Sequence, residues 1–332
     1  MFDKLVEGEN TAWIYRDLRN VLVFVGGRPV VERHYDSSAE ATSNVASVTK
    51  SVMSILVGIA VDEGAIGSVD QTLAELLPDY AAIMTADVAA VTLEQVLTMT
   101  AGLPADPQNA PLPYVLTEDW VTAIVSGGLE RPAGAGFAYS SAGSHLLSAI
   151  LVEATGRSVL DYARDNLFDP LGINTEPAAE PVAVEENLPV YEAASFAWPV
   201  DPQGLHLGDA DLKITALDMA KIGQLMLADG SWDGKQIVST QWVTESTRGH
   251  ISSDEMGPSG AAVEYGYHWW ITTADGHDAF AAIGFGGQLI EVVPDLDLVV
   301  VISCTIPERG VRLNARDFLF LVDSLVAPAI AP

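Results

Sequence analysis

The sequence predicts an α/β protein in which an antiparallel sheet is flanked by helices and carries an inserted all-helical lobe. Three observations lead to this prediction. Runs of β-branched and aromatic residues, which are typical of buried strands, lie near both ends of the chain. The middle of the chain instead alternates helical patterns with Pro- and Gly-rich connectors. With 332 residues, 49% of them hydrophobic, the chain can enclose a large core.

The first part of the chain predicts a hairpin followed by a helix. Residues 20–25 form a run rich in β-branched and aromatic residues, two glycines make a turn, and residues 29–33 return as a second strand. After a polar stretch, apolar residues recur at spacings of three and four over residues 48–63. This pattern predicts a helix that ends at Gly64.

The middle of the chain predicts a helical lobe. Its helical segments are separated by connectors at 102–113 and 127–136, which are too rich in Pro and Gly to continue a helix. No strand is convincing in this region. The predicted helices are 93–99, 120–125, 142–155 and 159–167.

The last third of the chain returns to strands. A helix and a turn at Asp229-Gly230 precede three segments that are typical of consecutive antiparallel strands. These elements are predicted at 216–228 for the helix and at 266–272, 280–293 and 298–304 for the strands.

A final helix is predicted over residues 311–325 and completes a two-lobe organisation. We expect the α/β lobe to consist of residues 1–70 and 205–332, with residues 71–204 forming the helical lobe.

The charge of the chain argues against several classes of partner. Its 45 acidic and 16 basic residues give a formal net charge of −29 at pH 7. Such a charge repels a nucleic-acid backbone and an anionic membrane surface, so we expect neither as a partner. The histidines show no zinc-ligand spacing and no Gly-rich phosphate loop occurs, so we expect no metal and no cofactor. The expected partner is a small-molecule substrate, and the oligomeric state stays open.

The distribution of apolar residues along the chain indicates the cellular location to be expected. The first residues lack the apolar region of a secretion signal, and the apolar stretch 52–61 is too short to span a bilayer. We therefore expect a soluble protein that is cytoplasmic as written, while an exported form with its signal removed stays open. The single cysteine, Cys304, lies in an apolar run typical of a core strand and cannot form an intrachain disulfide.

The first candidate for chemistry is the segment Ser47-Val48-Thr49-Lys50. Residues i and i+3 share a helix face, so Lys50 would lie beside the Ser47 hydroxyl at a helix N-terminus. The lysine can accept the hydroxyl proton if burial lowers its pKa, or stabilise an alkoxide if it stays charged. The alternative is an N-cap serine next to a surface lysine. The helix that follows is uncharged, and a lone lysine at the edge of an apolar helix is not expected without a function. This context favours a catalytic role for Lys50.

Two further segments carry candidate residues. Tyr139 follows a Gly-rich loop and precedes a predicted helix, where it can be a core anchor or, near a lysine, a general base. Residues 282–288 contain three glycines in four positions inside a predicted strand. They indicate either a β-bulge or a place where a substrate carbonyl approaches the backbone. The chain has no Gly-x-Ser-x-Gly motif, which argues against an α/β-hydrolase.

The three candidate segments follow one another along the chain in the order given above. With this order, the chain resembles the serine β-lactamase and penicillin-binding-protein superfamily. The resemblance is closer to its class C-type branch, with its esterases, D-amino-acid peptidases and 6-aminohexanoate-dimer hydrolases. It covers nearly the whole chain and implies an α/β sandwich with an all-helical lobe and a site between them. The segment 284–288 is most similar to the aminohexanoate-oligomer hydrolases. The other matching segments are 47–64, 97–103, 139–173, 218–221 with the turn 229–230, and 265–270.

The resemblance also implies roles for individual residues. Ser47 is similar to the acylated nucleophile, Lys50 to its partner and Tyr139 to the tyrosine that moves the proton. The backbone N–H groups of Ser47 and Phe285 would form the oxyanion hole. The residues expected to contact the substrate are Ser141, Gly284 and Gly286.

Two departures from the family pattern shape the expected activity. Penicillin-recognising members have Asn where this chain has Ser141, and Lys or His where Ala282 begins the third motif. Without that cation, recognition of a β-lactam carboxylate loses about 1.5–3 kcal/mol. We therefore expect hydrolysis of a small ester or amide through an acyl-enzyme on Ser47, with weak β-lactamase activity. The alternatives are an amidase or peptidase for D-amino-acid or ω-amino-acid amides, and a non-catalytic, penicillin-binding-like ligand binder.

Overall fold

An antiparallel sheet lies at the centre of the fold in this computed structural model of the chain. The structure describes residues 17–35, 37–106, 112–183, 185–253, 263–306, 318–319 and 321–330. The strands are β1 (Leu18–Val25), β2 (Arg28–His34), β3 (Thr42–Asn44), β4 (Ala178–Ala179), β5 (Phe196–Ala197), β6 (Lys213–Thr215), β7 (Ser231–Trp232), β8 (Lys235–Gln236), β9 (Ile251–Ser253), β10 (Val263–Tyr265), β11 (Trp270–Ala274), β12 (His277–Gly284), β13 (Gln288–Val293) and β14 (Leu298–Cys304).

The α-helices surround this sheet and fill the middle of the chain. They are α1 (Val48–Asp62), α2 (Leu73–Leu76), α3 (Ala86–Ala89), α4 (Leu93–Leu97), α5 (Trp120–Ser126), α6 (Ser141–Thr155), α7 (Val159–Ala163), α8 (Leu188–Ala193), α9 (Ala216–Leu227), α10 (Thr240–Ser246) and α11 (Ala327–Ile330). Short 3₁₀- or π-helical turns occur at Pro78–Tyr80, Pro113–Leu116, Arg164–Phe168, Glu185–Asn187, Pro294–Leu296 and Val322–Val326.

The main sheet joins the two ends of the described chain. Its strand order is β2-β1-β14-β13-β12-β11-β10-β9, and neighbouring strands are antiparallel. In β1, Val21 and Val23 face one buried cluster while Leu22 and Phe24 face the other, because side chains alternate along a strand. Both faces of the sheet are therefore covered. This confirms the predicted antiparallel sheet flanked by helices.

Helix α1 is buried on all sides. Every residue from Val48 to Ala60 is buried, and the helix packs against β12 on one side and α6 on the other. A Cβ added to Gly58 would lie 2.4 Å from the Trp242 ring, so α1 also packs tightly against α10. A helix surrounded in this way must be apolar all round, which explains its uncharged sequence. The helix predicted over residues 48–63 is confirmed.

Four short strands form a second sheet that the sequence analysis did not predict. Its order is β3-β6-β5-β4. The two-residue strands β4 and β5 lie in the region where no strand was convincing, and they are too short to show a period of two. Strands from both predicted lobes contribute to this sheet. The division into residues 1–70 with 205–332 and residues 71–204 stays a prediction.

The glycine-rich segment near the end of β12 differs from its prediction. A single strand over 280–293 is wrong, because β12 ends at Gly284, β13 begins at Gln288 and the residues between them form a turn. Gly286 and Gly287 have φ angles of 79° and 94°, which residues with side chains avoid. The glycines thus make a hairpin turn between two apolar strands that continue the same hydrophobic run.

The described end of the chain is helical. Residues 311–317 and 320 of the helix predicted over 311–325 lie outside the described residues. Those that are described include Phe318 and Val322, which pack against the sheet in the same buried cluster as Val21. Within the described ranges, no helix is both long and apolar enough to cross a membrane.

A buried carboxyl group beneath this terminal segment makes the stability of the fold depend on pH. Glu291 in β13 is 1% exposed. Burial raises its pKa to about 8. A hydrogen bond from Thr272 acts in the opposite direction, and the charge of Asp323 raises the pKa further. An ordinary glutamate titrates near 4.5. Because the folded state holds this proton more tightly, the stabilisation is lost as the pH rises from about 4.5 to about 8.

We expect Glu291→Gln to remove most of this pH dependence. Glutamine keeps the acceptor for Thr272 but does not ionise. The free energy of unfolding of the wild type should therefore fall between about pH 5 and about pH 8 by more than that of the variant, measured by urea denaturation. The exposed Glu264→Gln should follow the wild type. Equal pH slopes for the wild type and Glu291→Gln would contradict the prediction.

The end of β12 touches the segment just before α1. A Cβ on Gly284 would lie 2.3 Å from the carbonyl oxygen of Val45 and 3.3 Å from the Cβ of Ala46. The first distance is shorter than any real contact, so only glycine lets the hairpin approach this segment.

We expect Gly284→Ala to push the hairpin away from the segment before α1. The free energy of unfolding should fall by about 1–3 kcal/mol, as in other overpacked sites. Gly143→Ala in α6 is a suitable control, because its Cβ would meet neighbours at an ordinary 3.5 Å. Chemical denaturation of both variants measures the difference, and a Gly284→Ala protein as stable as the wild type would disprove the close contact.

Candidate active site

Ser47 occupies the N-cap position of α1, at the end of a strained turn. The residue before it, Ala46, has a φ of 47°, in the left-handed region that disfavours side chains. Asn44 braces the turn: its Oδ1 accepts the Ala46 N–H at 2.7 Å and its Nδ2 donates to Asp211 at 2.7 Å. The Thr49 hydroxyl donates to the Ala46 carbonyl at 2.7 Å. Ser47 itself makes no side-chain cap hydrogen bond, so its hydroxyl is not used to cap the start of the helix.

Lys50 lies one turn further along α1 and is 1% exposed. Its Nζ donates to the Ser47 hydroxyl at 3.3 Å, the Ser141 hydroxyl at 3.1 Å and the Asp209 carbonyl at 2.7 Å. An ammonium group has three hydrogens to donate, and buried acceptors from several segments surround this one. The alternative of a surface lysine beside an N-cap serine is therefore wrong.

Opposing effects act on the pKa of Lys50. Burial alone lowers it, but the charges of Tyr139, Asp209 and Asp106 raise it. The charges prevail, so the pKa of Lys50 lies above its ordinary value of 10.5. Lys50 is a cation at neutral pH, which favours its stabilising an alkoxide over its accepting the serine proton.

Tyr139 lies against the same ammonium group. Lys50 Nζ is 4.8 Å from the centroid of the Tyr139 ring, within the range of a cation–π contact. The ring also stacks on Trp270, with centroids 6.0 Å apart and planes 11° apart. Trp270 in turn meets Tyr265 edge-on at 4.7 Å. These contacts hold the Tyr139 ring in place without using its hydroxyl.

Ser141 links Lys50 to a carboxylate that the sequence analysis did not single out. The Ser141 hydroxyl accepts from Lys50 and donates to Asp106 at 2.7 Å, and the Ser141 N–H donates to Asp106 at 2.6 Å. Nothing in the sequence distinguishes Asp106 from the many other acidic residues, because its partner lies 35 positions away. The expected contact of Ser141 with substrate stays a prediction.

A buried histidine lies on the other side of Lys50. His268 Nδ1 is 3.2 Å from the Lys50 carbonyl oxygen, and its Nε2 is 3.4 Å from the Ser144 hydroxyl. Burial and the charge of Lys50 lower its pKa to about 3. The imidazole is therefore neutral at physiological pH, and it fixes α1 against α6 as a hydrogen-bonding group.

The hairpin β12–β13 reaches the turn that carries Ser47. Because Gly284 packs against Val45, the backbone of Phe285 follows directly beside that turn. The Phe285 side chain is 47% exposed, and a Cβ on Gly286 would meet Ile306 at 3.3 Å. The oxyanion role of the Phe285 N–H and the substrate contacts of Gly284 and Gly286 stay predictions.

A cluster of unsatisfied polar groups lies near the same acidic residues. Among the described residues, Tyr114 Oη, Trp120 Nε1, His145 Nδ1 and Asp209 Oδ1 are buried without a hydrogen-bond partner. The three rings are in mutual contact, with centroids 5.2 to 6.3 Å apart. The pKa of Tyr114 is raised by burial and by the charges of Asp209 and Asp106. Since each unpaired group costs about 1–3 kcal/mol, the cluster fits bound water or a polar ligand group.

The site brings together the components of acyl transfer. A serine hydroxyl, a charged ammonium group and a tyrosine lie in one contact network around Lys50 Nζ. Over the described parts of the chain, no group of three or more His, Cys, Asp or Glu side chains is arranged to hold a metal ion.

Comparison with known proteins identifies relatives over most of the chain. A family model described as Beta-lactamase matches residues 17–323. The chain is 27% identical over 274 residues to penicillin-binding protein 4 of Amycolatopsis lactamdurans, covering 77% of this chain and 70% of the relative. It is 25% identical over 286 residues to the 6-aminohexanoate-dimer hydrolase of Paenarthrobacter ureafaciens, covering 80% of this chain and 67% of the relative.

Solved structures share the fold as well. A family VIII carboxylesterase superposes with a TM-score of 0.68 at 18% sequence identity, and the match covers 93% of each chain. At this identity the likeness concerns the fold alone, and it agrees with the sheet and flanking helices described above. Because the family model spans nearly the whole chain, including every segment of the candidate site, the protein belongs to the beta-lactamase family of hydrolases.

Proposed function

We propose that the protein is a serine hydrolase that cleaves a small ester or amide through an acyl-enzyme on Ser47. The observation that carries the proposal is the network around Lys50. Its Nζ lies 3.3 Å from the Ser47 hydroxyl and 4.8 Å from the Tyr139 ring centroid. A nucleophile, a cation and a group able to carry a proton are thus in contact.

In the proposed acylation step, Ser47 Oγ attacks the carbonyl carbon while the Tyr139 hydroxyl relays the Ser47 proton towards the leaving group. The Lys50 cation stabilises the negative charge that develops during the attack. The N-terminus of α1 adds a favourable dipole. Tyr139 then gives the proton to the leaving alcohol or amine as the bond to the carbonyl carbon breaks.

Deacylation follows the same route with water as the nucleophile. Tyr139 takes a proton from water, whose oxygen attacks the acyl-enzyme, and the proton passes to Ser47 Oγ as the ester bond breaks. In both steps the carbonyl oxygen becomes negative, and we propose that the N–H groups of Ser47 and Phe285 bind it. The close contact of Gly284 with Val45 supports this proposal, because it brings the two segments together.

The substrate proposal follows from the charges around the site. Ala282 stands where penicillin-recognising relatives place a cation, and Lys50 is already engaged by Asp209 and Ser141. An anionic β-lactam would therefore find no free cationic partner among the described site residues. An uncharged ester meets no such difficulty, and a carboxylesterase shares the fold.

A specific observation favours amides that carry an amine as the second candidate. The unpaired Asp209 Oδ1 lies in the same buried region as the rings of Tyr114 and Trp120. A carboxylate with aromatic neighbours suits an ammonium group, through an ion pair and cation–π contacts. One curated relative is named a 6-aminohexanoate-dimer hydrolase.

We expect Ser47→Ala to abolish turnover while the protein stays folded. Removal of the nucleophile leaves no residue on which an acyl group can form. Turnover of p-nitrophenyl butyrate, labelling by a fluorophosphonate with mass detection, and thermal unfolding measure the result. Ser54→Ala is the matched control, because this buried serine of α1 has an unpartnered hydroxyl and should keep full activity.

The same experiment distinguishes the candidate functions. Fast Ser47-dependent ester turnover with slow loss of nitrocefin supports the proposal, and an aminohexanoate-type amide then tests the second candidate. Fast nitrocefin hydrolysis would make the protein a β-lactamase. One equivalent of label without turnover would favour a ligand binder, and undiminished turnover by Ser47→Ala would overturn the assignment.

We expect Tyr139→Phe to lower kcat by about 10²–10⁴-fold, because the phenolic oxygen is lost as proton carrier. The ring should still stack on Trp270, so the melting temperature should change little. Steady-state kinetics and thermal unfolding measure the two effects. Tyr162→Phe is the control, since that hydroxyl donates to Glu63 outside the Lys50 network. A kcat unchanged in Tyr139→Phe would remove Tyr139 from the mechanism.

A further inference from the structure

Asp106 makes three contacts with the residues of the site. Its carboxylate accepts the Ser141 N–H at 2.6 Å and the Ser141 hydroxyl at 2.7 Å. Its own N–H donates to the Tyr139 carbonyl at 2.9 Å. The Ser141 hydroxyl oxygen in turn accepts from Lys50 at 3.1 Å. Asp106 therefore touches the backbone of one candidate catalytic residue and reaches another through a single hydroxyl.

We propose that Asp106 is a positioning residue: by holding the Ser141 hydroxyl, it keeps the Lys50 ammonium fixed between Ser47 and Tyr139. This inference rests on the proposed function of those residues. Asp106 acts through Ser141 and Lys50, and it takes no part in the transfer of protons or acyl groups.

The chemistry of the serine side chain explains why a partner is needed. A hydroxyl rotates about its C–O bond and carries one hydrogen and two lone pairs. Next to an ammonium group only a lone pair is favourable. The Asp106 carboxylate takes the hydrogen and so leaves the oxygen to accept from Lys50. The asparagine of penicillin-recognising relatives has a fixed acceptor at this position, and here Asp106 and Ser141 together replace it.

The charge of Asp106 also acts on Lys50. The ionisable groups that interact with this ammonium are Tyr139 from the loop before α6, Asp209 and Asp211 from the segment before β6, His268 from the turn before β11, and Asp106 itself. The His268 imidazole is neutral, so it adds no opposing charge. Removal of the Asp106 charge should lower the pKa of Lys50. Because the Lys50 cation is required, the alkaline limb of activity should then move to lower pH.

A purely structural role is the competing explanation, because Asp106 also caps the N-terminus of α6. The chain contains a matched control for that role. Asp119 accepts the Thr122 N–H at 2.8 Å and the Thr122 hydroxyl at 2.7 Å at the start of α5. Asp119→Asn replaces one of the two acceptor oxygens by an NH₂ group, the same change as Asp106→Asn makes in its cap, at a site without any contact with Lys50.

The experiment compares Asp106→Asn, Ser141→Ala, the double variant and Asp119→Asn. We expect kcat for a neutral ester to fall about 10–100-fold in Asp106→Asn, with KM changed little, because a displaced ammonium misplaces the reacting groups. The double variant should be no slower than the slower single variant, since both act on one contact chain. Asp119→Asn should lower the melting temperature as much as Asp106→Asn and keep its activity.

A second measurement does not depend on hydrolysis. The chain has five lysines, so ¹³C-lysine NMR resolves few signals, and Lys50→Met assigns one of them. We expect the Lys50 signal to titrate at lower pH in Asp106→Asn than in the wild type. If it does so in a protein that a fluorophosphonate does not label at Ser47, the proposed function fails while the link between Asp106 and Lys50 stands.

Three outcomes would overturn the inference. If Lys50 titrates at the same pH in folded Asp106→Asn as in the wild type, Asp106 does not act on Lys50. If the fold-losses in kcat of the two single variants multiply in the double variant, Asp106 does not act through Ser141. A rise in KM confined to amine-bearing amides, with kcat on esters intact, would make Asp106 a substrate-binding residue instead.

Discussion

The buried ammonium group of Lys50 is the constraint on which the rest of the site depends. A charge held this deeply costs several kcal/mol unless its donors are paired and opposite charge lies near. The hydroxyls of Ser47 and Ser141 and the carbonyl of Asp209 supply the pairing. These groups belong to α1, α6 and the segment before β6, which meet only in the folded protein. Assembly of the site and closure of the core around Lys50 are therefore one event.

The packing around α1 encloses Lys50 within the core. Helix α1 lies between the sheet and α6, and it carries no charge beyond Lys50 until Asp62. His268 joins the backbone of α1 to Ser144 in α6 and stays neutral, so it adds a hydrogen-bonded link without a second buried cation. Packing thus sets the position of the ammonium group, and hydrogen bonds set the direction of its donors.

Features that form within one continuous stretch of the chain could be predicted from the sequence pattern of that stretch. The strands β1 and β14 and the helices α1 and α6 have long apolar patterns, and the Ser47–Lys50 spacing lies within one helical turn, so all could be predicted. Asp106 could not, because its role comes from a partner in another element. The two-residue strands β4 and β5 leave no periodicity, and the β12–β13 hairpin was predicted as one strand because apolar residues continue on both sides of its glycines.

The pairing of β1 with β14 constrains the order in which the protein can form. Val21 lies opposite Ile302, so the partner of an early strand is synthesised only after most of the chain has emerged from the ribosome. Until then β1 and β2 can form a hairpin, but one edge of β1 stays unpaired. Contacts between such distant residues slow folding and leave apolar strands exposed meanwhile. The period between synthesis of the first hairpin and of β14 is therefore when the chain is most open to aggregation and most in need of a chaperone.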